Sequence, residues 1–186
     1  VLTILYSADT QDKGWYWAVR AFDNNLSSYL LDYGWADTES ELLEPYNVKY
    51  LGGIQVAAGI IDEGGHRSKY IQEICKKEPG LITYKGSGYQ VKDPYKVNEK
   101  DNRIVANPHH YQDELLYLLY QQDNRDKNYF HIVKYPEDEY LKQLDAVRPV
   151  KGKPDQPWTN QGRPDHYFDV EKQMRVLWDF AQETFK

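Results

Sequence analysis

Apolar and polar positions divide the chain into short, recognisable pieces. Residues 2–9 are apolar on both alternating sets, as in a strand covered on both faces, and end in Asp9. Turn chemistry follows in Asp9-Thr10-Gln11-Asp12-Lys13-Gly14. Trp15–Phe22 and Ser28–Trp35, rich in aromatic and β-branched residues, read as the second and third strands, joined at Asp23-Asn24-Asn25. This predicts an antiparallel meander. Asp37 or Thr38 is placed to cap a short helix through Leu42-Leu43 that Glu44-Pro45 stops.

Ile54–Ile61 is nearly all apolar or small and reads as a fourth strand, covered on both faces, ending in Asp62. His66–Lys77 carries Tyr70, Ile71, Ile74 and Cys75 in a helical stripe. Leu81–Tyr84 reads as a fifth strand. Residues 87–101 read as a loop or loose hairpin. A helix is expected from Asn107-Pro108 through Leu119, a short strand at Phe130–Val133 and a short helix over Pro136–Leu144. Lys151–Gly162 reads as a surface loop, and Pro164 or Asp165 opens a final helix with Phe168, Met174, Leu177 and Trp178 on its apolar side. Three antiparallel strands followed by strand, helix, strand and further helices make an α/β plan with a mixed sheet.

Composition narrows the class. The 186 residues suit one domain able to bury a sizeable core. A single cysteine, Cys75, excludes an internal disulfide and a cysteine-based zinc site, and suits a cytosolic protein. No apolar run has the length of a membrane span, so no membrane partner is expected. No signal peptide is visible, and a valine opening a strand suggests a fragment or processed product. The net charge of −6 weighs against a protein coated in basic surface, yet the stretch from Arg67 to Arg103 is locally positive.

The candidate chemistry lies in acids that end apolar runs and one that opens the last helix. If the first and fourth strands are parallel neighbours, Asp9 and Asp62 stand about 4.8 Å apart at their carboxyl ends. Asp169, in the first turn of the last helix, is placed to join them. Ionised carboxylates so gathered repel one another, and Mg²⁺ or Mn²⁺ relieves that repulsion. Two such ions would serve phosphodiester cleavage without a histidine or lysine base. Taken singly, Asp9 is also a good turn residue, and Asp169 a helix-start acid favoured by the dipole. Asp12, Glu63, His66, Lys85 and His166 are candidates for supporting or DNA contacts, with Glu63 on the opposite face from Asp62 if the chain stays extended. His109-His110 lacks the spacing of a helical zinc pair and reads as structural. There is no phosphate-binding G-x-x-x-x-G-K-[ST] loop.

Six blocks in order carry a resemblance: Ala8-Asp9-Thr10-Gln11-Asp12; Ser28-Tyr29-Leu30-Leu31-Asp32-Tyr33-Gly34; Ile61-Asp62-Glu63-Gly64-Gly65; Tyr84-Lys85-Gly86; Phe130-His131-Ile132; and Asp165-His166-Tyr167-Phe168-Asp169. Together the chain resembles the nuclease domain of the large terminase subunit of tailed bacteriophages, lambda-type branch. It departs at Glu63, where Ser or Thr is usual, and at Asp165, where Asn is usual. The resemblance implies a ribonuclease H-like fold and an endonuclease with two divalent ions on Asp9, Asp62 and Asp169. It implies cutting of concatemeric viral DNA in the cytoplasm of an infected bacterial host. Its implied partners are double-stranded DNA, the small terminase subunit, the portal protein and a preceding ATPase domain of the same chain. The alternatives are another ribonuclease H-like nuclease, a resolvase or transposase core, and a non-catalytic packaging module that keeps the fold without cutting.

Overall fold

In a computed structural model, residues 2–87, 93–120, 129–150 and 158–184 are described. The meander forms as expected: β1 (Thr3–Thr10), β2 (Trp15–Phe22) and β3 (Ser28–Ala36) pair antiparallel. β4 (Ala58–Asp62) runs parallel to β1, and β5 (Leu81–Gly86) parallel to β4. β6 (Tyr95–Asn98) and β7 (Arg103–Ala106) form a hairpin whose second strand lies parallel to β5, and β8 (Phe130–His131) extends the other edge. The eight-stranded order is β8-β3-β2-β1-β4-β5-β7-β6. It is a mixed sheet of ribonuclease H-like plan, with the first strand central and the fourth beside it.

Alternation along β1 splits the core into two layers. Ile4, Tyr6 and Ala8 face a cluster containing Leu42, Ile71, Ile74 and buried Cys75. These come from α1 (Glu39–Asn47) and α2 (Ser68–Lys77). Leu5 faces the opposite cluster with Ile60, Tyr111, Tyr140, Met174 and Leu177. The helices on that side are α3 (Pro108–Tyr120), α4 (Asp138–Leu144) and the long α5 (His166–Thr184). One buried ion pair fastens α5 to the sheet: Arg20 Nε on β2 donates to Glu171 Oε2 at 2.5 Å, and Tyr140 Oη donates to Glu171 Oε1 at 2.7 Å. Such a pair repays its desolvation only when its remaining lone pairs and protons are also bonded. Arg20 Nη1 meets that condition by donating to the His131 carbonyl at 3.0 Å and Ser28 Oγ at 3.2 Å.

Several boundaries differ from expectation. The fourth strand begins at Ala58, because Ile54–Gln55 turns back to pair with Lys49–Tyr50. Leu51, Gly52 and Gly53 all have positive φ, the conformation of a tight reversal rather than a through-running strand. α1 does not stop at Pro45. The proline lies inside the helix, buried with Leu42 and Tyr46, and that burial outweighs one lost backbone bond. Thr38 caps this helix in a reciprocal box with Glu41, as its sequence suggests. Within 87–101, expected as a loop or loose hairpin, β6 forms and pairs in a hairpin with β7, a strand that was not expected; residues 88–92 lie outside the described residues. Of the Lys151–Gly162 loop, 151–157 lie outside the described residues, and Trp158–Thr159 pairs with Arg148–Pro149. The strand expected at Phe130–Val133 is reduced to Phe130–His131.

Candidate active site

The register Ala8↔Ile61 sets Asp9 level with Asp62 at the carboxyl ends of two parallel neighbours. Leu5 on β1 and Ala58 and Ile60 on β4 face α5, so period-two alternation puts Asp9 and Asp62 on that face too. α5 crosses β1, β2 and β4 there and carries Asp169 in its first turn. The start of α5 is held from α4, where Gln143 Oε1 accepts from the Tyr167 backbone N–H at 2.9 Å. Local bonds also fix the two strand ends. Thr10 Oγ1 donates to the Asp62 carbonyl at 2.5 Å, and Gly64 has φ +40° with its missing Cβ only 2.9 Å from Thr10 Cβ. A side chain at 64 would push the two loops apart. Arg67 spans the same gap, donating to the Gln11 carbonyl at 2.9 Å while lying over the Trp15 ring.

The charges sense one another. Burial first, then Asp9 and Asp169, push the Asp62 carboxyl up to about 7. Burial raises Asp9 as well, with Asp169 adding to it, against hydrogen bonds from His166 and Gln11 that pull it down. Gln11 Nε2 donates to Asp9 Oδ2 at 2.6 Å, and His166 Nδ1 lies 3.4 Å from the same oxygen. His166 is raised above its ordinary value, chiefly by Asp9 and against its own burial; its ring stacks on Tyr16.

Lys172 is the participant that sequence reasoning missed. One helical turn beyond Asp169, its ammonium bonds Asp169 Oδ1, and only 12% of its side chain is exposed. Burial disfavours its charge, yet Asp169, Tyr84 and Asp9 together raise it above the usual lysine value. Its i, i+3 spacing from Asp169 is the only trace in the sequence, where a lysine on a polar helix face reads as solvated.

The other candidates divide by face. Glu63 is buried away from the trio: Arg103 Nη2 lies 2.9 Å from Oε2, Gln72 Nε2 donates to the same oxygen at 3.0 Å, and Lys85 lies 3.5 Å from Oε1. It ties β4 to α2, β5 and β7. Lys85 is largely exposed beside it. His66 and Asp12 face each other, both exposed, at 3.8 Å on the rim. A cleft of about 390 Å³ next to His166 is walled by Gln11, Lys13, Tyr16 and Trp35. An apolar hollow of about 250 Å³ under Leu118, Leu119, Phe130 and Leu144 contains none of the three aspartates, and its lining suits packing rather than phosphodiester chemistry.

Among the described residues, the group with one ligand atom each within 4.8 Å of the others is His110, Glu114 and Asp179, not the three aspartates. Asp179 lies ten residues beyond Asp169 on α5, roughly 15 Å along the helix. Arg175 already neutralises Glu114 there through two hydrogen bonds, so this cluster reads as a polar seam between α3 and α5. The three aspartates offer the oxygen ligands a hard cation takes, from the carboxyl ends of two central strands and the first turn of α5.

A mixed α/β sheet presenting acids at the ends of adjacent parallel strands is a recurrent nuclease architecture. The family model for the terminase large subunit gpA, endonuclease domain, matches residues 1–183, and the chain belongs to that family. It is accordingly a nucleic-acid-cleaving enzyme. Among solved structures, the chain is similar to a Fowlpox virus resolvase crystallised with Holliday junction substrate DNA, at 15% identity and a TM-score of 0.33, covering 64% of this chain and 75% of that one. Comparison with curated proteins gives no match.

Proposed function

We propose that this chain is a divalent-metal-dependent DNA endonuclease that cuts concatemeric viral DNA as genomes are packaged into the procapsid. The observation that carries the reading is the level placement of Asp9 and Asp62 on neighbouring parallel strands beneath Asp169, with a carboxyl raised to about 7 by burial and mutual repulsion. Asp9, Asp62 and Asp169 would hold Mg²⁺ or Mn²⁺, which supplies an activated water and charge stabilisation at the leaving oxygen. Gln11 and His166 orient Asp9 through its outer oxygen. The cleft walled by Tyr16, Trp35, Lys13, Asp12 and His166 adjoins Asp9 through His166 and would offer aromatic faces and the Lys13 ammonium to a DNA strand.

Family membership supports the packaging context, with an ATPase domain of the full-length protein, the small terminase subunit and the portal as partners and the infected host's cytoplasm as the setting. Among the described residues no helix is long and apolar enough to cross a membrane. Plasmid nicking in Mn²⁺ tests the reading. The parent chain should convert supercoiled to open-circular DNA, and D9N, D62N and D169N should each abolish conversion while circular dichroism stays unchanged. Full nicking by a folded D62N would remove the acid site from the account.

A further inference from the structure

We propose that Trp35 is a stacking platform for an unpaired base of the DNA substrate, which directs cutting to places where the two strands have come apart. The inference rests on the endonuclease reading and deepens it. Strand pairing sets the position. Asp9 lies opposite Tyr16 across β1 and β2, and Tyr16 opposite Trp35 across β2 and β3, so the three side chains form one cross-strand row on a single face of the sheet. Two strand spacings put Trp35 roughly 10 Å from Asp9 along that row. A nucleic-acid strand rises about 3.4 Å per stacked nucleotide, so the ring lies about three nucleotides from a phosphate held at the acids.

The ring is exposed yet fixed. Trp35 is the only exposed tryptophan of the five, at 39%. Its Nε1 donates to Asp37 Oδ1 at 2.7 Å, and Tyr16 meets it edge-on with centroids 4.8 Å apart. Gly14 leaves room for the ring where a Cβ would lie 2.4 Å from Trp35 Cζ2. Binding therefore has little side-chain freedom left to remove at this position. Tyr16 is not free for the same role, because His166 stacks on it at 13° and Tyr167 meets it in a T.

The surrounding charges favour a single strand. The cleft wall carries the Lys13 ammonium and the Asp12 carboxylate, and Asp37 stands at the indole N–H. A duplex presents phosphates on both strands, which calls for several cations, and keeps its base faces inside the stack. An unpaired strand offers one phosphate to Lys13 and one base face to Trp35, and such stacking is tolerant of base identity. The cleft of about 390 Å³ falls at the small end of the roughly 300–1,000 Å³ that small-ligand pockets span, the scale of a nucleotide rather than of a double helix. Past it the route is open: β8 pairs only with Ser28 and Tyr29, so among the described residues no strand covers the outer edge of β3 at Trp35.

Fluorescence anisotropy in Ca²⁺ compares two labelled probes, a fully paired hairpin and the same hairpin with an unpaired oligothymidylate tail. The parent chain should bind the tailed probe more tightly. W35A, folded by circular dichroism, should lose roughly 5- to 150-fold on the tailed probe, the contribution of one stacked base, and change little on the paired one. W35F, which keeps a ring, should retain most of the preference. In Mn²⁺ the parent should cut the tailed probe faster than the paired one, and W35A should bring the two rates together. Equal affinity of the parent for both probes, or a W35A loss equal on both, overturns the stacking role; plasmid nicking by the same preparation then leaves the endonuclease reading intact. Absence of both nicking and tail preference overturns both.

Discussion

Removing one charge from the acid cluster gives a prediction whose size and pH dependence follow from the structure. Consider Asp62→Asn in chelator. Unfolded, an aspartate releases its proton near 3.8; in the fold, burial and its neighbours hold the proton until about 7. Between those values the folded state binds a proton that the unfolded state has lost, so the parent protein loses stability as pH rises. Asparagine has no proton to lose. Its own packing cost is the same at any pH and cancels when two pH values are compared. From pH 5 to pH 7 the parent loses about 1.4 kcal/mol per pH unit, or roughly 2–3 kcal/mol in all, and nothing further above 7. For a chain of this length each kcal/mol moves the midpoint by about 2–4 °C. The melting temperature of D62N relative to the parent, read by circular dichroism in chelator, should therefore be about 5–10 °C higher at pH 8 than the same difference at pH 5. A gap that stays constant or shrinks with pH would refute the claim that Asp62 is ionised against its surroundings.

Three further outcomes follow from the packing. Glu171→Gln strands the buried Arg20 guanidinium without its counter-charge, and urea unfolding should show a loss of about 3–5 kcal/mol. Gly59→Ala places a Cβ 2.3 Å from Leu81 Cδ2 and 3.1 Å from both Tyr6 and Tyr46, so overpacking between β4 and β5 should cost about 1–3 kcal/mol in the same assay. His166→Gln removes a group whose folded value is raised by Asp9. Its stabilising effect is complete below the free histidine value and is lost as pH rises through the folded one, so the variant should melt below the parent at pH 6 and close to it at pH 9.

The parts of the fold that sequence made legible are those where local pattern and tertiary burial agree. β1 carries buried apolar residues on both of its faces because helices cover both, and its apolar run gives way to Asp9 one residue before the strand ends. Asp9 and Asp62 stood out for the same reason, polarity placed abruptly at the end of an apolar run, and Asp169 as an acid opening the last helix. Where long-range packing overrules local signal, the pattern misled. Pro45 ends a helix on propensity but is kept inside one by burial, and Ile54 belongs by composition to a strand from which Gly52 and Gly53 divert it. β7 has the alternation of a strand, yet its four residues, directly after a left-handed Asn102, are too few for periodicity to register. Lys172 was hidden because nothing in a polar helix flank marks which lysine turns inward. Glu63 was separable from Asp62 by strand period alone, but its partners Arg103 and Gln72 come from elements brought together only by the sheet order.

The site is tested most directly by where a cation settles. Anomalous scattering from a crystal soaked in Mn²⁺ should give a D62N-sensitive peak bounded by the carboxylates of residues 9 and 62. A peak confined to His110, Glu114 and Asp179, with the β1–β4 strand ends empty at saturating Mn²⁺, would contradict it.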